Sequence, residues 1–337
     1  MRLFTQSDAD PSVLTGKTIA VAGYGNQGRP QALNLRDSGF TVLIGARPGR
    51  SGWERASADG FEVAGMEEAA RRADVLMMLL PDEVQGDVFA GVLRTALRPG
   101  AALCFAHGFS VAFGEISDTM YDLVLVAPKG QGERLRDAYV EGRGLPCFIG
   151  VGNDASGEAE RIALAIASGL GCLRAGGFET SFREEAISDL FGEQAVLCGG
   201  VPAIMKHAFD LLVRRGYHPE VAYFECVHEL KIIVDLCARL GLSGMRDVIS
   251  GTAAYGSLQF GEKLIGEDVD AGMERLFDSI ESGAFAKTWL AEKRAGCPEL
   301  SRLRERERAL LLEQVGKTIR EKVAGTVRTE RARAKKE

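Results

Sequence analysis

The sequence predicts a two-part chain: an α/β domain built on a mainly parallel sheet, then an all-α domain. Between residues 17 and 177 short apolar runs alternate with stretches of helical period, as parallel strands joined by crossover helices require. After residue 179 strand candidates give way to long segments with apolar residues three and four apart. A length of 337 residues also exceeds one ordinary core, since a domain takes about 100–200 residues. The expected division is residues 1–180, 181–326 and a charged, disordered tail at 327–337.

In chain order, the strand candidates are residues 18–22, 41–44, 75–80, 103–106, 123–127 and 148–151, several apolar throughout. Strands covered on both faces must read that way. Helical period fills gaps between them, for example at 31–38 and 158–168. In the second half the helical segments are 187–198, 203–215, 220–240 and 269–282, with no repeat at solenoid spacing.

Composition narrows the function. With 46% hydrophobic and 26% charged residues the chain is not of disordered type. A net charge of −6 offers no general field for nucleic acid or an anionic membrane. Asp8 and Asp10 stand where a signal peptide would be apolar, and the longest apolar run, 75–80, is far below a membrane span. A cytoplasmic protein is expected. Seven scattered cysteines with no Cys-x-x-Cys pair argue against disulfides and zinc, and mostly buried thiols are expected.

The first motif is Gly23-Tyr24-Gly25-Asn26-Gln27-Gly28, between an apolar strand and a helical run. Its glycines permit a tight turn and close backbone approach to a pyrophosphate, which the helix N-terminus favours electrostatically. That context marks a Rossmann domain. At the end of the second strand an NAD site usually has an acidic residue; here Arg47, Arg50 and Ser51 stand instead. Two guanidinium groups and a hydroxyl suit the 2′-phosphate of NADPH.

Two carboxylate pairs follow, Asp189 with Glu193 and Glu225 with Glu229, each four residues apart in an apolar helical segment. Such a pair projects from one helix face and, if buried, needs a cation. Four oxygen donors suit Mg²⁺. The rival, a di-iron site built on Glu225 and His228, lacks a second Glu-x-x-His. His228 is expected to be a supporting or surface residue.

Together with Leu79-Leu-Pro-Asp-Glu-Val-Gln85, Ala106-His-Gly-Phe109, Ala127-Pro-Lys-Gly130, Asp189-Leu-Phe-Gly-Glu-Gln-Ala-Val-Leu-Cys-Gly-Gly200 and Tyr223-Phe-Glu-Cys-Val-His-Glu-Leu-Lys231, the glycine motif resembles the short-form, class I ketol-acid reductoisomerases. The match runs in order from about residue 5 to 323. This resemblance implies a knotted helical C-terminal domain and a homodimer with a shared active site. It also implies Mg²⁺ held by Asp189 and Glu193, with Glu225 and Glu229 contributed from a second subunit. Ser250 would bind the substrate carboxylate, while His107, Lys129 and Glu229 would serve catalysis. Tyr24 to Gln27, Arg47, Ser51, Asp82, Glu83, Val84, Gln85 and Gly132 would line the cofactor.

Some positions depart from the family pattern. Arg29-Pro30 replaces His-Ala, Gln131 replaces a proline, and Gly251 and Ala254 replace Asn and Glu beside Ser250. The leading expectation is an Mg²⁺- and NADPH-dependent conversion of 2-acetolactate-type acids to 2,3-dihydroxy acids, in branched-chain amino-acid synthesis. The altered Ser250 loop motivates an alternative, a paralogue that reduces a related keto acid or imine without the alkyl shift. A non-catalytic NADPH-binding regulator is a third reading, against which the four retained carboxylates count.

Overall fold

Alternate side chains of an extended strand point to opposite faces, so a strand with apolar residues at every position fits only between two covered faces. The computed structural model describes residues 1–334, with side chains to residue 322. Its strands are β1 (Leu3–Phe4), β2 (Thr18–Ala22), β3 (Thr41–Gly45), β4 (Glu62–Ala64), β5 (Val75–Met78), β6 (Ala102–Phe105), β7 (Asp122–Pro128), β8 (Cys147–Asn153) and β9 (Gly177–Glu179). They form one sheet in the order β1-β9-β8-β7-β6-β5-β2-β3-β4.

The stretch from β4 to β7 is parallel and has the doubly wound order that reverses between β2 and β5. The expected strands are β2, β3 and β5 to β8, each end within two residues. The additions are β1, β4 and β9, and β8 and β1 run antiparallel to β7 and β9.

Helices α1 (Gly28–Asp37), α2 (Ser51–Ala58), α3 (Met66–Arg72) and α4 (Asp82–Val88) follow the first strands; a π turn then leads into α5 (Arg94–Ala96). Next come α6 (Phe109–Ala112), α7 (Gly132–Val140) and α8 (Ala159–Gly169). Strand alternation divides the core into two layers. Ile19, Val21 and Val124 pack with Ile162 and Ile166 of α8, while Ala20, Ala22, Leu76 and Leu125 pack on the other side with Ala69 and Ala70 of α3.

The chain separates into two compact units, Met1–Asp189 and Leu190–Glu337, with the division inside α9 (Phe182–Gly192). The second unit is helical, as expected: α10 (Gly200–Arg214), α11 (Pro219–Tyr223), α12 (Leu230–Val248), α13 (Gly251–Leu264), α14 (Glu267–Glu281), α15 (Ala284–Arg294), α16 (Pro298–Arg308) and α17 (Leu311–Ala334). Phe209, Ala222, Tyr223 and Ile319 form a small buried cluster there, and Arg320 donates to the Tyr223 hydroxyl at 3.0 Å. α17 runs into the segment read as a charged tail, of which residues 335–337 lie outside the described residues.

Two further features bear on what the sequence leads one to expect. A continuous helical run, Phe182–Arg214, is long and apolar enough by length and composition to cross a membrane, because α9, a π turn and α10 join end to end. All seven cysteines are free thiols, but only Cys104, Cys147 and Cys172 are buried, and Cys198 is exposed.

Candidate active site

In an open α/β sheet the loops beyond the carboxyl ends of parallel strands face the ligand crevice. Gly23 leaves β2 with φ +98°, and a Cβ there would lie 2.8 Å from the Leu79 carbonyl oxygen. At Gly28 a Cβ would lie 2.1 Å from the Gly23 oxygen, so only glycine lets α1 start so close to the strand. Gly25 meets nothing within 4 Å, and α1 begins at Gly28 without a side-chain cap. Open space before uncapped helix N–H groups is what a pyrophosphate needs.

Gly132 has a packing role. A Cβ there would come 1.9 Å from the Asn26 carbonyl oxygen, and Gln27 Nε2 donates to the Gly130 oxygen at 3.2 Å. The turn after β7 is thereby fastened to the glycine loop. At the end of β3, Arg47, Arg50 and Ser51 are exposed, with Arg50 and Ser51 at the start of α2.

A second set of loops brings four side chains together. His107 follows β6, Lys129 follows β7, and α9 presents Glu185 and Asp189 one turn apart. Lys129 Nζ donates to Glu185 Oε1 at 2.7 Å and to Asp189 Oδ1 at 2.9 Å. Glu185 is buried, and its other oxygen accepts the Gly108 N–H at 2.8 Å. A Cβ at Gly108 would lie 2.3 Å from the Phe182 oxygen, so that glycine lets the His107 loop reach α9.

His107 Nδ1 lies 2.8 Å from Asp82 Oδ2. Gln85, buried behind it, donates to the Leu80 oxygen and to Asp82, and accepts from Ser110 at 2.7 Å. Asp82 and Gln85, which the resemblance placed along the cofactor, thus form the support of His107. Glu83 and Val84 share the first turn of α4 and are half-buried.

Burial works against protonation of His107, but the Asp82 hydrogen bond and the charges of Asp82, Glu185 and Asp189 outweigh it and raise its pKa to about 9. Lys129 is likewise raised: desolvation opposes its charge, and the carboxylates of Glu185 and Asp189 overcome that.

Ligand atoms of His107, Glu185 and Asp189 lie within 4.8 Å of one another, the one such group among the described residues. His107 Nε2 is buried without a partner, 3.6 Å from Asp189 Oδ2 and 3.9 Å from Glu185 Oε2. Both distances are too long for a direct hydrogen bond. An orphaned nitrogen facing two carboxylates fits a small polar ligand or a hard divalent cation with its waters. Glu185 lacks an apolar run of its own to single it out in the sequence, although it precedes Asp189 by the same four residues that separate Asp189 from Glu193.

In the second unit, Glu193 opens a π turn in which the Cys198 N–H donates to its carbonyl at 2.7 Å. Glu225 lies in another π turn, closed by the Glu229 N–H on the Phe224 carbonyl at 3.1 Å. Such turns recur at functional sites. Glu193, Glu225 and Glu229 are exposed in the single chain, as are their apolar neighbours Val196, Leu197 and Phe224. His228 is also exposed, its ring 5.2 Å from that of Phe224. Ser250 caps α13, accepting the Ala253 N–H at 3.2 Å, and a Cβ at Gly251 would meet nothing within 4 Å.

The family model "Acetohydroxy acid isomeroreductase, NADPH-binding domain" matches residues 13–176, and "Ketol-acid reductoisomerase, C-terminal domain" matches residues 182–324. An NADH-preferring ketol-acid reductoisomerase from an uncultured archean is 44% identical, with a TM-score of 0.92 over 95% of this chain and 99% of that one. An NAD-binding semialdehyde dehydrogenase protein from Cupriavidus necator, at 20% identity and a TM-score of 0.60 over 79% of this chain and 96% of that one, shares the fold.

Proposed function

Because the chain belongs to the ketol-acid reductoisomerase family, we propose that it converts 2-acetolactate-type acids to 2,3-dihydroxy acids with NADPH and Mg²⁺, in branched-chain amino-acid synthesis. The observation that carries this reading is the cluster of His107, Lys129, Glu185 and Asp189 at the carboxyl end of a nucleotide-binding sheet. When bound, Mg²⁺ would polarise the substrate's hydroxyl and carbonyl oxygens and so favour the alkyl shift. By the family pattern Asp189 and Glu193 would hold it, with the partner subunit's Glu225 and the partner subunit's Glu229.

The chain's own residues would do the following. Asp82 fixes His107 through Nδ1, so that Nε2 faces Glu185 and Asp189. Lys129 holds a proton at Nζ between the same carboxylates. Both cations can orient an anionic substrate, and either N–H can stabilise oxygen charge as it develops. The reduced nicotinamide, when bound, would supply a hydride to the keto carbon, whose oxygen would take up a proton. The glycine turn would hold the pyrophosphate, and Arg47, Arg50 and Ser51 the 2′-phosphate.

A homodimer is part of this proposal. Large apolar side chains such as Leu197, Ile232, Leu242, Leu258, Phe260 and Leu264 are exposed in the second unit. An apolar surface of that kind calls for a covering partner.

The NADH preference of the archaeal relative favours a second reading, use of NADH. One assay decides. Purified protein with Mg²⁺ and 2-acetolactate should oxidise NADPH faster than NADH and lose turnover in EDTA; no oxidation of either cofactor would reject the proposal. Turnover of a 3-hydroxy-2-keto acid but not of 2-acetolactate would show a reductase without the alkyl shift.

A further inference from the structure

Helix α2 carries Arg50 and Ser51 at its start, and its far end is gripped by α1 and the glycine turn. Asp59 ends the helix, and its carboxylate receives three donors: Arg29 Nε at 2.6 Å, Arg29 Nη2 at 2.9 Å and the Tyr24 hydroxyl at 2.8 Å. The Asp59 carbonyl accepts Arg36 Nη1 at 2.7 Å, and Arg55 of α2 donates back to the Tyr24 carbonyl at 3.1 Å. Tyr24 itself is buried, its ring edge-on to Phe61 at 5.8 Å, and the Arg36 guanidinium lies over the Phe61 ring at 4.7 Å. These bonds tie the glycine turn and α1 to the far end of α2, the helix whose start lies at the end of β3 where the cofactor reading puts the 2′-phosphate.

We propose that Arg29 and Asp59 form a positioning clamp that sets the start of α2 against the glycine turn, and so governs discrimination between cofactors with and without a 2′-phosphate. This rests on the cofactor reading above and deepens it. Neither residue need touch the nucleotide. The Arg29 guanidinium is already engaged in a two-pronged bond, a geometry that fixes direction as well as distance. A helix of eight residues is a rod about 12 Å long, so a shift at its end is passed to its start. Half-exposed ion pairs add little to overall stability. The clamp should therefore be visible in binding rather than in melting temperature.

The test is titration of NADPH and of NADH into the full-length protein, followed by intrinsic fluorescence and independent of turnover. The variants are Asp59→Asn, Arg29→Leu and the exchanged pair Arg29→Asp with Asp59→Arg. Each single variant should weaken NADPH roughly five-fold and NADH less than about two-fold, with the melting temperature nearly unchanged. The exchanged pair should recover most of the loss. If the ratio of the two dissociation constants is the same in wild type and both single variants, the clamp is refuted, whichever cofactor is favoured. Tighter binding of both cofactors by Asp59→Asn would also refute it, since that would make Arg29 a direct phosphate ligand held back by Asp59. A wild type that does not favour NADPH refutes the cofactor reading alone.

Discussion

Glu185 shows how a single carboxylate can organise a site. It is 1% exposed, yet it draws the His107 loop to α9 through the Gly108 N–H and holds Lys129 in place. In the sequence it was as accessible as Glu193, because Asp189 has an acid four residues to either side. Only the fold shows that the earlier partner is the buried one. Replacing Lys129 by Met leaves that carboxylate buried beside one backbone donor. In EDTA the variant should lose about 3 kcal/mol or more of stability, and Mg²⁺ should restore part of it. Denaturant melts with each addition check this, and a variant as stable as wild type in EDTA would mean that Lys129 does not neutralise Glu185. Asp59 gives a pH prediction. The Arg29 bond, joined by that of Tyr24, lowers its pKa below 3.8 against the opposing effect of burial. Its folded value is depressed, so its contribution is present above pH 3.8 and is lost as pH falls through the folded value. Asp59→Asn should therefore remove a small part of the acid-side slope of a stability–pH curve, about 1 kcal/mol or less, and a steeper acid side would contradict the assignment.

At the scale of elements, the glycine turn makes a sharp contrast. Gly28 has a carbonyl where its Cβ would go, while Gly25 has open space. Gly28→Ala should cost about 1–3 kcal/mol in folding. Gly25→Val should fold as well as wild type but bind NADPH at least roughly ten-fold more weakly. Parallel chemical melts and cofactor titrations separate the two, and loss of stability in Gly25→Val would place that residue in the packing. Sequence pattern revealed the strands that are apolar on both faces and missed β1, β4 and β9, of two or three residues each. A run that short has no period to read. The π turns at Glu193 and Glu225 were equally hidden, since a slip of one residue in the apolar period is within the variation that an ordinary helical stripe shows.

For the whole molecule, periodicity reveals that a helix face is covered but not whose chain covers it. The fold class, a nucleotide domain followed by a helical one, could be read from the change of period near residue 179; the exposure of Glu193, Glu225 and Glu229 could not. The proposed dimer predicts a mass of two chains by light scattering at micromolar concentration. Phe260→Asp, at a site 65% exposed in the isolated chain, should shift the protein to monomer and abolish turnover. An unchanged mass would remove Phe260 from the interface. The first unit is closed by its own extremities, because β1 pairs with β9 through Leu3 with Phe178 and Phe4 with Gly177. During synthesis this fixes a sequence of events: at about 5–20 residues per second, β1 waits roughly ten to thirty seconds for its neighbour to be translated. Until then Leu3 and Phe4 are open to chaperones, and their edge of the sheet seals shortly before α9 brings Phe182 and Glu185 to this unit.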